Sequence, residues 1–205
     1  VFGLSLREGS VLPGWPVEAA AGLAARGSTF TPLLQNERGA LALLGGRLFV
    51  PYGGHWGDCG PYHGWVIGLS VAHPAVFGAY ATRGPKGGIW APGGIAGAGG
   101  ALLVSTGNTA GAQRWSDGEA VIRLGPTLAP PASRRDFFAP ADWQRLDEAD
   151  LDLAGANPMP ITAGGRKLVL ALGKDGNVYL LDQADLGGIG GALAVRHVAD
   201  DRIIT

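Results

Sequence analysis

Short apolar runs recur along the chain, each set off by glycine. Three open on a Gly-Gly pair: Gly45-Gly46-Arg47-Leu48-Phe49-Val50, Gly99-Gly100-Ala101-Leu102-Leu103-Val104 and Gly164-Gly165-Arg166-Lys167-Leu168-Val169. Each reads as a turn feeding a short buried strand. A second series runs in step: Val1-Phe2-Gly3-Leu4-Ser5-Leu6, Val66-Ile67-Gly68-Leu69-Ser70-Val71, Val121-Ile122-Arg123-Leu124-Gly125 and Val178-Tyr179-Leu180-Leu181-Asp182. The last three each follow a Gly-Gly run, which predicts hairpins with loops of variable length. A third β-like stretch comes next: Trp15-Pro16-Val17, Val76 to Tyr80, Arg135 to Phe138, and Leu193 to His197. The 3.6-residue period of a helical repeat is missing.

Repeats of about 55–65 residues with three or four strands are the pattern of propeller blades. A short four-stranded sheet cannot bury both faces alone, and stacking blades face to face solves this. The pattern therefore predicts an all-β chain, a β-propeller segment of about three to four antiparallel four-stranded blades. The expected layout is a partial blade and connection over 1–44, a blade over 45–98, a blade over 99–163 with an inserted loop at 129–160, and a last blade over 164–205. Propellers typically have about four to eight blades. The segment is thus expected to belong to a larger ring of seven or eight blades, or to an oligomeric or nicked assembly. The expected partner is the rest of the propeller, or another chain that covers the open blade edges. Within the insert, Pro140-Ala141-Asp142-Trp143 reads as a helix start. Six of the 17 acidic residues lie between Asp136 and Asp152, as a solvated acidic loop or a cation site.

Composition narrows this picture. The 36 Gly are about two and a half times average usage, which suits tight turns and crowded inner strands. Hydrophobic residues make up 46% of the chain, which includes six Trp; that is enough for a core and argues against disorder. Net charge is −1. No basic stripe exists, so no nucleic-acid partner is expected. The stretch 87–112 carries no charged residue but holds nine Gly and Pro92, a composition that excludes a spanning helix. Cys59 is the single cysteine, so there is no intrachain disulfide. The chain opens Val-Phe-Gly-Leu, without a basic-then-apolar leader.

Reactive side chains concentrate in the loop Tyr52 to Trp65, with His55, Asp58, Cys59 and His63. His55, Cys59 and His63 are spaced by four, and Asp58 could complete a metal ligand set. The glycines and Pro61 argue against the helix that would align them. A substrate or cofactor loop, a structural loop with buried aromatics, and a Cys–His nucleophile pair stay open as readings. Gly173-Lys174-Asp175-Gly176-Asn177 is a hairpin turn. Lys174 reads there as a solvated lysine, with a cofactor contact as the alternative. His73 and His197 read as structural.

Two stretches carry a family resemblance. Leu4-Ser5-Leu6-Arg7-Glu8-Gly9-Ser10-Val11-Leu12-Pro13-Gly14-Trp15 resembles the tryptophan-docking motif of quinoprotein alcohol dehydrogenases, with Gly9 and Trp15 present, the Trp two places late, and Leu6 where the motif has Asp. Gly87-Gly88-Ile89-Trp90-Ala91-Pro92-Gly93-Gly94, leading to Ser105-Thr106-Gly107-Asn108, is similar to the cofactor segment of the pyrroloquinoline quinone (PQQ) dehydrogenases. The resemblance implies that Trp90 stacks under the quinone and that Asn108 helps hold a calcium ion. A flat aromatic suits a planar cofactor, and an amide oxygen suits a hard cation. PQQ and calcium are the implied cofactors, a small alcohol or sugar the implied substrate, and the periplasm or the outside of the cell the implied location. The chain departs from that family at two places. One Cys stands where the family usually has a vicinal pair. The segment Glu148-Ala149-Asp150-Leu151-Asp152-Leu153-Ala154-Gly155 matches at Asp152 and Ala154-Gly155 but places Ala149 at the expected base position. Asp150, one place on, would face the other side of a strand. The broader PQQ-like repeat superfamily also holds non-catalytic scaffolds for outer-membrane protein assembly, the alternative role.

Overall fold

A computed structural model describes residues 1–204. It contains three antiparallel sheets built in chain order. In the first, β1 (Gln35–Asn36) and β2 (Ala42–Leu44) both pair with β3 (Arg47–Gly54), which is followed by β4 (Trp65–Ser70) and β5 (Ala75–Ala81). The second runs β6 (Ala96–Ala98), β7 (Ala101–Thr106), β8 (Ala120–Leu124) and β9 (Phe137–Ala139). The third runs β10 (Met159–Ala163), β11 (Arg166–Leu172), β12 (Asn177–Asp182) and, after a short β13 (Gly188–Ile189), β14 (Ala194–His197). β13 leaves the third sheet and pairs in parallel with β9, clasping the second sheet to the third. The result is a β-propeller segment of three blades.

The Gly-Gly pairs are the hairpin turns inside blades. Each joins the first long pairing of its sheet: β2 to β3, β6 to β7, and β10 to β11. All six glycines have positive φ, from 55° to 82°. Two successive left-handed residues make the tight turn whose twist matches a β-hairpin, and glycine adopts it without a Cβ clash. The second and third sheets therefore begin one strand upstream of the expected starts at 99 and 164, and the first begins two short strands upstream of 45. The second-series runs are β4, β8 and β12, and the later stretches are β5, β9 and β14. The first repeat does not form a blade. Residues 1–34 carry a single bridge, Leu4 to Val11, and a helix α1 (Ala19–Ala24). Trp15 packs over Gly3 and joins the cluster in which Val17, Leu23 and Phe30 cover Val50, Ile67 and Leu69. The acidic insert holds β9 and α2 (Trp143–Glu148), whose N-cap is Asp142, at the expected helix start.

Blade stacking explains the continuous apolar runs, because central strands are covered on both faces. On β4, Val66 joins Phe49 and Tyr80 against Leu102, Val104 and Ile122 of the second blade, while Ile67 and Leu69 face the N-terminal segment. On β7, Leu103 turns the other way to join Val121 and Phe138 against Val169, Ala171, Tyr179 and Leu181 of the third blade. Burying a side chain of this kind contributes about 1.5–3 kcal/mol. No helix among the described residues is long and apolar enough to cross a membrane.

Candidate functional site

The three blades meet at a cleft of about 620 Å³. Its position follows from the backbone. The segment after β5 runs between the ends of β3 and β7: Ile89 N–H donates to the Tyr52 carbonyl at 3.2 Å, and Gly107 N–H donates to the Gly88 carbonyl at 3.0 Å. This holds half-buried Trp90 against the turn that follows β7. Gly107 lets that turn close. A Cβ there would stand 2.5 Å from Asp152 Oδ1 and 3.1 Å from Trp90 Nε1. Glycine is required by space rather than by backbone angle.

The turn presents Asn108 to two carboxylates from the segment after α2. Asn108 N–H donates to Asp152 Oδ1 at 2.9 Å, and Asn108 Nδ2 donates to Asp150 Oδ1 at 3.2 Å. Lys174, on the turn between β11 and β12, closes the group from the third blade. Its backbone N–H donates to the Asp152 carbonyl at 3.0 Å. Its ammonium donates to Asp152 Oδ2 and, at 3.3 Å, to the carbonyl and Oδ2 of Asp150. Arg202 lies 3.5 Å from Asp150. Two cations also stand by the Trp90 ring: Arg38 at 5.2 Å and Lys174 at 5.3 Å from its centroid, within cation–π range. Burial raises the Asp152 carboxyl above the ordinary carboxylate range, opposed by the Lys174 ammonium and the Asn108 N–H.

Trp90 and Asn108 are thus brought to one cleft from sequence positions 18 apart. Lys174 is not a solvated turn lysine, since its side chain is only 9% exposed. The expected base position, Ala149, is the exposed C-cap of α2 and points no carboxylate into the cleft. Asp150 stands at the rim in a left-handed turn with φ 53°. The buried carboxylate of the cleft is Asp152. Asp150 and Asp152 both stood in the acidic run, and only the tertiary turn separates their roles. Arg38 and Arg202 were not singled out from the sequence, because nothing local marks a surface arginine that folds toward a distant tryptophan.

The metal reading of the 52–65 loop is not built. His63 Nδ1 pairs with the Thr82 carbonyl at 2.8 Å. Asp58 accepts from Tyr62 Oη at 2.5 Å and lies 3.6 Å from the Lys86 ammonium. Cys59 is exposed. Among the described residues no group of three His, Cys, Asp or Glu side chains gathers as a ligand set. Each side chain goes to its own nearest partner because the glycine-rich loop is not the helix that would align them. The loop instead forms a wall of the cleft, through His55, Trp56, Gly57, Asp58 and Tyr62. Burial and the Asp58 carboxylate push the Tyr62 phenol well up, so it stays protonated and donating.

No family model matches the sequence, and no curated protein is significantly similar to it. Solved structures are similar in fold. The quinohemoprotein alcohol dehydrogenase ADHIIG from Pseudomonas putida HK5 aligns with 78% of this chain at a TM-score of 0.60 and 14% identity. A europium-containing methanol dehydrogenase aligns with 80% of it at 0.51 and 13%. The chain spans 28% and 34% of the lengths of those two proteins. The fold is similar to the β-propeller of those two dehydrogenases, represented here by three blades.

Proposed function

We propose that the cleft binds a planar, anionic quinone of the PQQ type against Trp90, and that the chain is the cofactor-binding part of an alcohol- or sugar-oxidising propeller. The observation that carries this reading is the convergence of Trp90, Asn108, Asp152 and Lys174 from three blades onto one cleft. The residues suit such a group. A flat indole offers a stacking face, and Arg38, Lys174 and Arg202 offer three cations for carboxylates. Asn108 and Asp150 offer oxygens for calcium. Calcium takes about six to eight, so quinone and water oxygens would complete its shell. When bound, the quinone accepts the two electrons of the oxidation.

The chain's own residues do the remaining work. Trp90 and the cations orient the bound group. Tyr62 and the 55–58 loop wall off one side. Asp152 takes the hydroxyl proton of the substrate at a carboxylate oxygen, and its burial favours proton acceptance. Lys174 holds that carboxylate in place at the side of the cleft where its own ammonium meets the Trp90 ring. On the resemblance alone, the reading places the protein in the periplasm or outside the cell.

Exchanging Asp152 for Asn tests the base role. Loaded with PQQ and calcium, the wild-type protein is expected to reduce an artificial electron-accepting dye with an alcohol or sugar. Asp152→Asn is expected to keep the quinone and lose dye reduction by about 100-fold or more. Unchanged turnover in Asp152→Asn would remove the base role.

A non-catalytic scaffold is the second reading, favoured by one observation. The outer face of the third blade presents Met159, Leu170, Leu172, Val178 and Leu180, all exposed or half-buried. That face suits further blades of the same propeller or another chain. Saturable quinone binding without dye reduction by any alcohol or sugar would favour the scaffold.

A further inference from the structure

Glu119 is the least expected side chain in the core. It immediately precedes β8, with no solvent exposure. Its Oε1 has no hydrogen-bond partner; Tyr80 Oη is the other such buried side-chain atom among the described residues. Its backbone is left-handed, with φ 48°, a conformation that disfavours any residue with a Cβ. An apolar side chain of similar size would fill the space without an orphaned oxygen.

What the glutamate does is local to the cleft. Its backbone N–H donates to the Gly107 carbonyl at 3.0 Å. Its Oε2 accepts the Leu153 N–H at 2.7 Å. Gly107 immediately precedes Asn108, and Leu153 immediately follows Asp152. One residue therefore ties together the two backbone segments that carry Asn108 and Asp152, from behind and out of reach of any ligand. The Asn108 N–H to Asp152 bond closes the same loop of contacts from the cleft side.

We infer that Glu119 is a positioning residue, which fixes Asp152 against Asn108 and Lys174 by clamping the Leu153 peptide; its value to catalysis rests on the function proposed above. Burial, with the carboxylates of Asp152 and Asp147 nearby, raises its own carboxyl well above the ordinary range, with the Leu153 N–H and Lys174 opposing.

The test compares Glu119→Gln, which keeps an acceptor oxygen, with Glu119→Leu, which fills the space without one. Two readouts need no cofactor: amide exchange of the peptide containing Leu153, and labelling of Lys174 by an amine reagent, located by mass spectrometry. Glu119→Leu is expected to speed both by up to about tenfold, the reach of one ordinary hydrogen bond. Glu119→Gln is expected to match the wild type within about twofold. Equal exchange and labelling in Glu119→Leu would overturn the clamp. If Glu119→Leu fails to fold, Glu119→Ala, which crowds nothing, is read in the same way. PQQ affinity with calcium is measured on the same proteins. Wild-type binding with equal affinity in Glu119→Leu overturns the positioning role. A wild type that binds no quinone, with Lys174 labelling still altered by Glu119→Leu, removes the quinone reading and leaves the clamp standing.

Discussion

Asp152 and Lys174 form an ion pair that water hardly reaches, with side chains 7% and 9% exposed. Such a pair gains little over a well-packed apolar pair, yet breaking it from one side leaves a buried charge. Lys174→Met is therefore expected to lose about 3–5 kcal/mol of stability in a urea titration at neutral pH. A loss below about 1 kcal/mol, the worth of an exposed pair, would show that the lysine is solvated after all. Glu119 gives the opposite sign. Its carboxyl is raised in the folded state, so its contribution is fully present below its unfolded value and is lost as pH rises toward its folded value. Glu119→Gln should thus melt close to wild type near pH 4 and increasingly above it as the pH is raised. A difference that stays constant with pH would mean that Glu119 is not the group being titrated. These roles were only partly legible. Trp90 and Asn108 lie in recognisable local strings. Asp152 lies in an acidic run where one residue of error changes the face. Glu119 has no local signal, because its meaning depends on Gly107 and Leu153, which are distant in sequence.

The hairpins carry the repeat. Gly100 has φ +82° and nothing within 4 Å of the place its Cβ would take, so a substitution there is strained by conformation alone. Gly100→Ala is expected to cost about 1–2 kcal/mol, a fall of roughly 2–8 °C in melting temperature for a chain of this size. Gly100→Asn should cost less, since Asn visits the left-handed region more readily. Equal melting of all three proteins would remove the paired left-handed turn. The strands after these turns were legible because burial on both faces writes unbroken apolar runs such as Val66-Ile67-Gly68-Leu69. The strands before them were not. Ala42-Leu43-Leu44 and Ala96-Gly97-Ala98 are short, lie before the turn, and carry no alternation. The sequence therefore marks each blade from its turn and not from the short strands before it. The opening run Val1 to Leu6 resembles a strand of the same series, yet it pairs only locally, through a bridge to Val11 and backbone hydrogen bonds to Ser10, Leu12 and Val17, and supports Trp15 instead of joining a sheet.

Across the whole molecule, the two ends of the blade stack differ. The first blade has its outward face covered by α1 and the segment around Val17 and Phe30. The third blade leaves Leu170, Leu172, Val178 and Leu180 partly open, beside an edge strand with Val195 exposed at 43%. An apolar face and an unpaired edge invite association. The 205-residue chain is expected to self-associate at micromolar concentration in sedimentation experiments, and Leu180→Glu is expected to reduce this without lowering the melting temperature by more than a few degrees. A strictly monomeric chain at high concentration would mean that this face needs no cover. The cleft where the blades meet is tested by a titration of PQQ with calcium, read by tryptophan fluorescence. The expected result is saturable quenching, weakened at least about tenfold in Trp90→Ala by loss of the stacking face. A wild-type protein that shows no saturable change, or a Trp90→Ala variant that binds as well as wild type, would contradict the assignment of this cleft to a quinone.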